Sequence, residues 1–254
     1  QCFHGTEEEL KETKNTQPCL FAMELAAATV LIEKGIAPDV VAGFSLGEVV
    51  AATVSGAFDS ETGFRLVCKR GELMQSEAER FDTSMAAVVK LTPERVQEVC
   101  NKYSEVYPVN FNCPGQITVS GISSQMTNFF ADVKAAGGRA IPLKVKGAFH
   151  SPFMKAAAES FAEELEKAET KERSITLYSN MTAEVYTDDV VGLLSKQICS
   201  PVQWEKIIRN MIADGVDAFI EIGPGKTLTN MIKKIDAEVK AVSVNDYLAE
   251  VDVC

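Results

Sequence analysis

A short apolar run at residues 38–41 breaks into Gly43-Phe44-Ser45-Leu46-Gly47-Glu48, and an alanine- and valine-rich run follows at 49–54. A strand joined to a helix by so sharp a bend limits the fold more than any other feature of this chain. The strand is apolar in its second half, Val40-Val41-Ala42, and so reads as a buried strand in a sheet covered on both faces. Ahead of it, Leu20, Met23, Leu25, Ala27, Ala28 and Leu31 recur at helical spacing, which predicts a helix over 17–34 that Gly35 ends. After it, Phe64, Leu66, Val67, Leu73 and Met74 form the inner face of a helix over 59–78, with Asp59 or Ser60 as its N-cap.

Near Phe81 the texture changes. Strand-like runs at 85–91, 106–112, 116–121 and 139–145 enclose helical runs at 93–102 and 126–136. The order β-α-β-β-α-β is that of a split βαβ, ferredoxin-like unit. From Phe149 longer elements resume, with helices over 151–168, 188–199 and 202–214 and strands over 175–179 and 218–222. Gly223-Pro224-Gly225 then opens a helix that ends at Ile235. A chain of 254 residues has room for one large domain carrying a smaller one. We therefore expect an α/β fold: a body formed by 1–80 and 147–254 around a mostly parallel sheet, and a ferredoxin-like insert at 81–146.

Composition removes several function classes. With 25 Lys+Arg against 36 Asp+Glu the net charge is −11, which argues against a nucleic-acid binder. Hydrophobic residues make up 46%, too many for a disordered chain. No run approaches the roughly 20 apolar residues of a membrane helix. The cysteines (Cys2, Cys19, Cys68, Cys100, Cys113, Cys199, Cys254) are scattered and never spaced C-x-x-C, which suits small buried hydrophobes in a reducing cytoplasm better than disulfides or zinc. Two histidines without clustered ligands leave no metal centre to expect. The polar, acidic start is not a secretory signal, and the absence of an initiator Met suggests a longer native chain.

Gly43-x-Ser45-x-Gly47 between strand and helix has the form of a nucleophile elbow. A serine at such a turn adopts strained backbone angles, and its hydroxyl projects from the sheet toward free N–H groups at the helix start. The hydroxyl needs a base. His4 lies in the polar N-terminal segment and reads as a surface residue, so His150, in the loop Gly147-Ala148-Phe149-His150-Ser151-Pro152 where insert returns to body, is the candidate. No carboxylate between Ser45 and His150 is marked as its partner, and a backbone or amide carbonyl could orient the ring instead. Arg70, directly before Gly71, reads either as a helix C-terminal cation or as a guanidinium fork for a substrate carboxylate. Gly223-Pro224-Gly225-Lys226 lacks the spacing of a phosphate loop and reads as a structural turn.

Taken together, these motifs resemble the malonyl-CoA:acyl carrier protein transacylases and the related acyltransferase domains of polyketide and fatty acid synthases. The resemblance is carried by Thr16-Gln17-Pro18, the elbow, Arg70-Gly71 with Met74-Gln75, and Asn112-Cys113-Pro114-Gly115-Gln116. It continues through Phe149-His150-Ser151-Pro152, Ser179-Asn180-Met181-Thr182, Gln197 with Pro201-Val202-Gln203-Trp204, and Glu221-Ile222-Gly223-Pro224-Gly225-Lys226. It implies an α/β-hydrolase-like body with a ferredoxin-like insert. It further implies that Ser45 accepts the acyl group, His150 is its base, and the Gln197 backbone carbonyl orients that histidine. Arg70 would pair with the malonyl carboxylate, Leu46 would supply an oxyanion N–H, and Gln17 and Asn112 would line the cleft. Phe149 would exclude a 2-methyl branch.

The sequence departs from the family at two places. Phe44 stands where the family usually has His, which removes a polar contact beside the serine. The family also begins with a strand and a Gly-Gln-Gly turn whose glutamine serves the oxyanion hole, and this sequence starts after it, so weak activity of the chain as given is expected. The expected reaction is transfer of malonyl from malonyl-CoA to acyl carrier protein by a cytoplasmic monomer, with no cofactor, nucleic acid or membrane involved. Two other readings stay open: a serine esterase or thioesterase using the same elbow, and an idle module that docks carrier protein. Lys206, Arg209, Lys233 and Lys234 are the cations that could meet an acidic carrier.

Overall fold

Helix starts in this chain are written locally. Thr6, Asp59, Thr92 and Asp189 each precede a helix and accept a hydrogen bond from a backbone N–H in its first turn. The computed structural model describes residues 2–251, and Cys254 lies outside them. The first part of the chain runs α1 (Glu7–Lys11), α2 (Thr13–Glu33), β1 (Val40–Val41), α3 (Gly47–Val54) and α4 (Ser60–Ala78). The middle part runs β2 (Thr83–Val89), α5 (Pro93–Cys100), β3 (Val106–Cys113), β4 (Gln116–Ile122), α6 (Ser123–Ala135) and β5 (Arg139–Lys146). A short 3-10 turn (Pro152–Met154) leads into α7 (Lys155–Glu166), β6 (Thr176–Leu177), α8 (Val190–Gln197) and α9 (Trp204–Ala213). The last part is β7 (Ala218–Glu221), α10 (Thr227–Ile235), β8 (Lys240–Ser243) and α11 (Val244–Val251).

The fold is mixed α/β with parallel and antiparallel sheets. Its largest described sheet is antiparallel, in the order β3-β4-β2-β5, and lies within Thr83–Lys146, whereas the named strands on either side of it pair in parallel. The parallel strands stand as two separate pairs, β1 with β6 and β7 with β8. A cavity of about 670 Å³ is lined by residues from both pairs, among them Val40–Ala42 and Phe219–Ile222. β1 and β6 are two residues long, so packing rather than ladder hydrogen bonds holds them in place.

Three apolar clusters form the interior. The first gathers Phe21, Leu66, Val67, Met74, Phe161 and Leu194 between α2, α3, α4, α7 and α8. The second gathers Tyr178, Trp204, Ile207, Ile208 and Phe219 under α9 and α10. The third lies between the antiparallel sheet and α5 and α6, around Val88, Val119, Val96 and Phe129. The sheet is tied to the rest where β3 exchanges backbone hydrogen bonds with Val202, at 2.9 Å from the Phe111 nitrogen and 2.9 Å to the Val109 oxygen.

Three smaller expectations are corrected. Phe64 is 43% exposed and only leans on the Phe21 ring from outside. Of the described cysteines only Cys100 and Cys113 are buried. α4 continues to Ala78, so Arg70 lies well inside it and is not a C-terminal cation.

Candidate active site

The elbow depends on Gly43. A Cβ there would lie 1.8 Å from the Gly47 carbonyl oxygen, so only glycine lets the two arms of the turn close. Ser45 then takes φ +53°, the left-handed region that costs a side-chain-bearing residue free energy. β1 delivers the turn and α3 leaves it, and six residues of that helix from Glu48 to Thr53 are buried, so the elbow has a fixed base.

His150 also has a positive φ, +61°, and follows Gly147, whose φ of +121° brings the loop round. Its backbone N–H donates to the Ile198 carbonyl at 3.1 Å, and its Nδ1 lies 2.9 Å from the Gln197 carbonyl oxygen. The end of α8 thus orients both the backbone and the ring. A carbonyl only accepts, so Nδ1 carries the proton and Nε2 offers its lone pair. Ser45 Oγ lies 2.7 Å from that Nε2. Burial, and secondarily the charge of Arg70, hold the imidazole down at about 4, so it is neutral and able to accept a proton at pH 7.

Arg70 reaches the same point from the middle of α4, and is 1% exposed. Its Nη1 donates to Gln17 Oε1 at 2.7 Å, and its Nη2 donates to Gln197 Oε1 at 2.7 Å and to Ser45 Oγ at 3.3 Å. Among the described residues no carboxylate forms an ion pair with it, and its Nε has no partner. Burial lowers it to about 10, so it keeps its charge at neutral pH. Gln197 binds three of its neighbours: its carbonyl holds His150, its Oε1 holds Arg70, and its Nε2 donates to the Ser45 carbonyl at 2.5 Å.

Ser45, His150, Arg70, Gln17 and Gln197 are therefore in one hydrogen-bonded group, with Leu46 adjoining. The Leu46 N–H has no acceptor among the described residues. The side chains of the other sequence candidates are not hydrogen-bonded into it. Asn112 is buried and donates to Thr118 Oγ1 at 3.2 Å, with its Oδ1 unpartnered. Phe44 turns its ring onto Trp204, 5.6 Å between centroids, in the second cluster. Phe149 packs on the first cluster with its ring beside Gly147. The large cavity is lined by Gly43 and Phe44 but not by Ser45, so it lies behind the elbow, away from the serine–histidine pair.

Three residues joined to the site went unread in the sequence: Glu48, Asn180 and Tyr186. Glu48 Oε1 accepts from the Asn180 N–H at 2.9 Å and from the Tyr186 hydroxyl at 2.7 Å. Burial raises the Glu48 carboxyl to about 7, against the lowering effect of those hydrogen bonds and of Arg70. The strings around Glu48 and Asn180 were visible as motifs, but nothing in them announces that the two meet. The loop before α10 is a structural turn. Glu221 fills that helix start, its two carboxylate oxygens accepting from the Leu228 and Thr229 N–H groups at 2.9 and 2.8 Å. Lys206 pairs with Glu184 at 3.7 Å and Arg209 with Glu205 at 2.7 Å, while Lys233 and Lys234 sit in the last turn of α10.

Residues 3–250 match the family model described as acyl transferase domain. A malonyl CoA-acyl carrier protein transacylase of Bacillus subtilis (strain 168) is 39% identical over 251 residues, 96% of this chain and 79% of that protein. A solved malonyl CoA-acyl carrier protein transacylase from Clostridium perfringens superposes with a TM-score of 0.92 at 36% identity, covering 97% of this chain and 82% of that one. A malonyl-transacylase solved in complex with a type II polyketide synthase acyl-carrier protein gives a TM-score of 0.90 at 34% identity, with 94% of this chain and 79% of that one covered.

Proposed function

The chain belongs to the acyl transferase domain family, and from that membership we propose that it moves a malonyl group from malonyl-CoA to the phosphopantetheine thiol of an acyl carrier protein. His150 Nε2 takes the Ser45 proton as Oγ attacks the thioester carbonyl. The tetrahedral intermediate collapses, the C–S bond breaks, and the CoA thiolate leaves with the proton that His150 returns. Malonyl-Ser45 is then attacked by the carrier thiol, whose proton passes to His150 and back to Ser45. Atoms balance between the two substrates and the serine, and the reading assigns no cofactor or metal. The Gln197 carbonyl holds the proton at Nδ1 through both half-reactions and stabilises the imidazolium that forms. The free Leu46 N–H serves the oxyanion.

One observation carries the choice of malonyl: the Arg70 guanidinium, buried, charged, within reach of Ser45 Oγ, and bonded only to neutral oxygens. An isolated buried cation is costly, and an acyl group bearing a free carboxylate relieves that cost in a way an acetyl group cannot. Gln17, beside Arg70, steadies the guanidinium, and Asn112, Phe44 and Phe149 are assigned to the walls of the cleft, with Phe149 set against a 2-methyl branch.

In the same reading 81–146 is a ferredoxin-like insert in an α/β-hydrolase-like body formed by the described residues on either side, supported by the order β3-β4-β2-β5 and the strand-turn-helix elbow. No described helix is long and apolar enough to cross a membrane, and we place the reaction in the cytoplasm. Intact-mass measurement after mixing with malonyl-CoA tests the proposal. Wild type should carry a malonyl adduct that holo carrier protein removes, and Ser45→Ala should carry none. Release of free malonate in place of transfer overturns it.

A further inference from the structure

The turn at the elbow leaves backbone groups that neither β1 nor α3 pairs. Two of them, the Ser45 N–H and the Gly43 carbonyl, meet the same side chain. Asn180 Oδ1 accepts from the Ser45 nitrogen at 2.7 Å, and Asn180 Nδ2 donates to the Gly43 oxygen at 2.5 Å. Those partners fix which way the amide faces, since its oxygen must meet the donor and its nitrogen the acceptor. Asn180 is in turn held at both of its own backbone groups. Its N–H donates to Glu48 Oε1 at 2.9 Å, and its carbonyl accepts from the Gln203 N–H at 2.8 Å. Tyr186 donates to the same Glu48 oxygen at 2.7 Å. Asn180 and Glu48 are both 0% exposed. Glu48 lies in the first turn of α3, so the helix that leaves the elbow grips the very segment whose side chain grips the elbow.

We propose that Asn180, locked in place by Glu48, is a positioning residue: its amide holds Ser45 in the left-handed conformation that sets Oγ against His150. It also commits the Ser45 N–H, while the Leu46 N–H that follows stays free. A residue at φ +53° returns to an ordinary conformation unless something over-determines it, and here one planar amide holds the backbone entering Ser45 at two points while Gln197 Nε2 holds the Ser45 carbonyl beyond it. Displacement of a nucleophile by about 1 Å is enough to cost about 10²-fold in rate. The inference rests on the acyl-transfer reading for its substrate, but the geometry it describes acts on any electrophile that reaches Ser45.

The test compares wild type with Asn180→Ala, Asn180→Asp, Glu48→Ala and Glu48→Gln, with rates taken per folded site. Single-turnover loading from malonyl-CoA should fall about 10- to 100-fold in both Asn180 variants. KM for malonyl-CoA should stay within about twofold, because the acyl group does not touch Asn180. Asn180→Asp is nearly isosteric; it keeps an acceptor for Ser45 but sets oxygen against the Gly43 oxygen, so it decides the matter if Asn180→Ala fails to fold. Glu48→Gln retains an oxygen that accepts from both Asn180 and Tyr186, and should recover most of the rate that Glu48→Ala loses. A fluorophosphonate probe of Ser45 should slow in parallel with loading. Wild-type loading rates per folded site in both Asn180 variants, or equal rates for Glu48→Gln and Glu48→Ala, overturn the proposal. If wild type takes no malonyl while probe labelling still slows in the Asn180 variants, the acyl-transfer reading fails and the positioning role stands.

Discussion

Arg70 is the residue on which substrate choice turns, because its buried guanidinium is hydrogen-bonded to two glutamine oxygens and the Ser45 hydroxyl and to no carboxylate among the described residues. Hydrogen bonds to a charged group contribute about 1.5–3 kcal/mol, so Arg70→Ala should lower kcat/KM for malonyl-CoA by about 10²-fold. Acetyl-CoA turnover should change far less, and equal losses on both substrates would remove the carboxylate role. The residue types at the centre of the site were legible in the sequence. Serine between glycines, one histidine in a junction loop, and an arginine on a helix with an apolar inner face each advertise a chemistry. Gln197 was legible only by resemblance, and only for its backbone carbonyl. Its side-chain bonds to Arg70 and to the Ser45 carbonyl join residues far apart in the chain, and no local pattern encodes such a meeting. The same holds for Asn180 and Glu48, which bond across 132 positions.

The elbow is an element whose geometry leaves one atom no freedom. Gly43→Ala would force a methyl group to within 1.8 Å of the Gly47 carbonyl, which the buried α3 has no room to move away from. We expect a loss of about 3 kcal/mol or more, read as a lowered urea midpoint with an unchanged slope. A near-wild-type midpoint would show that α3 can shift. Elements with strong periodicity were readable for a related reason: α4, α5 and α9 bury one face, and the pattern of that face is local. β8 was missed because Lys240–Ser243 holds little apolar pattern of its own and is a strand by virtue of pairing with β7. α11 was missed likewise, and the division of the parallel strands into two pairs is a tertiary arrangement that strand patterns do not reveal.

At the scale of the whole molecule, two carboxyl groups among the described residues sit in the wrong environment for their charge, and they set how its stability depends on pH. Burial raises Glu48 to about 7, and burial together with the charge of Glu221 raises Glu24, on the wall of the large cavity, to about 7 as well. Both carboxyls ionise near 4.5 in the unfolded chain, so between about pH 4.5 and 7 the unfolded state holds fewer protons than the folded one, and stability falls as pH rises. Their contribution is complete below the unfolded value and gone above the folded one. His150 acts in the opposite sense. Its folded value of about 4 lies below the ordinary 6.5, so it adds stability as pH rises across that interval. Two carboxyls outweigh one imidazole, and above 6.5 only the carboxyls remain. The exposed carboxylates with lowered values, such as Asp59 and Asp132, titrate below this window and do not disturb it. The urea midpoint should therefore be lower at about pH 8 than at about pH 5, unlike the usual acid-labile pattern. Replacing both groups, Glu24→Gln with Glu48→Gln, should leave His150 alone and reverse the sign. Glu48 by itself accounts for a swing on the order of 2–3 kcal/mol by the free energy of a pKa shift. A wild-type midpoint that rises from pH 5 to pH 8 would mean that one or both carboxyls find water or a cation in the folded protein, and with Glu48 that would place a polar occupant directly behind the serine.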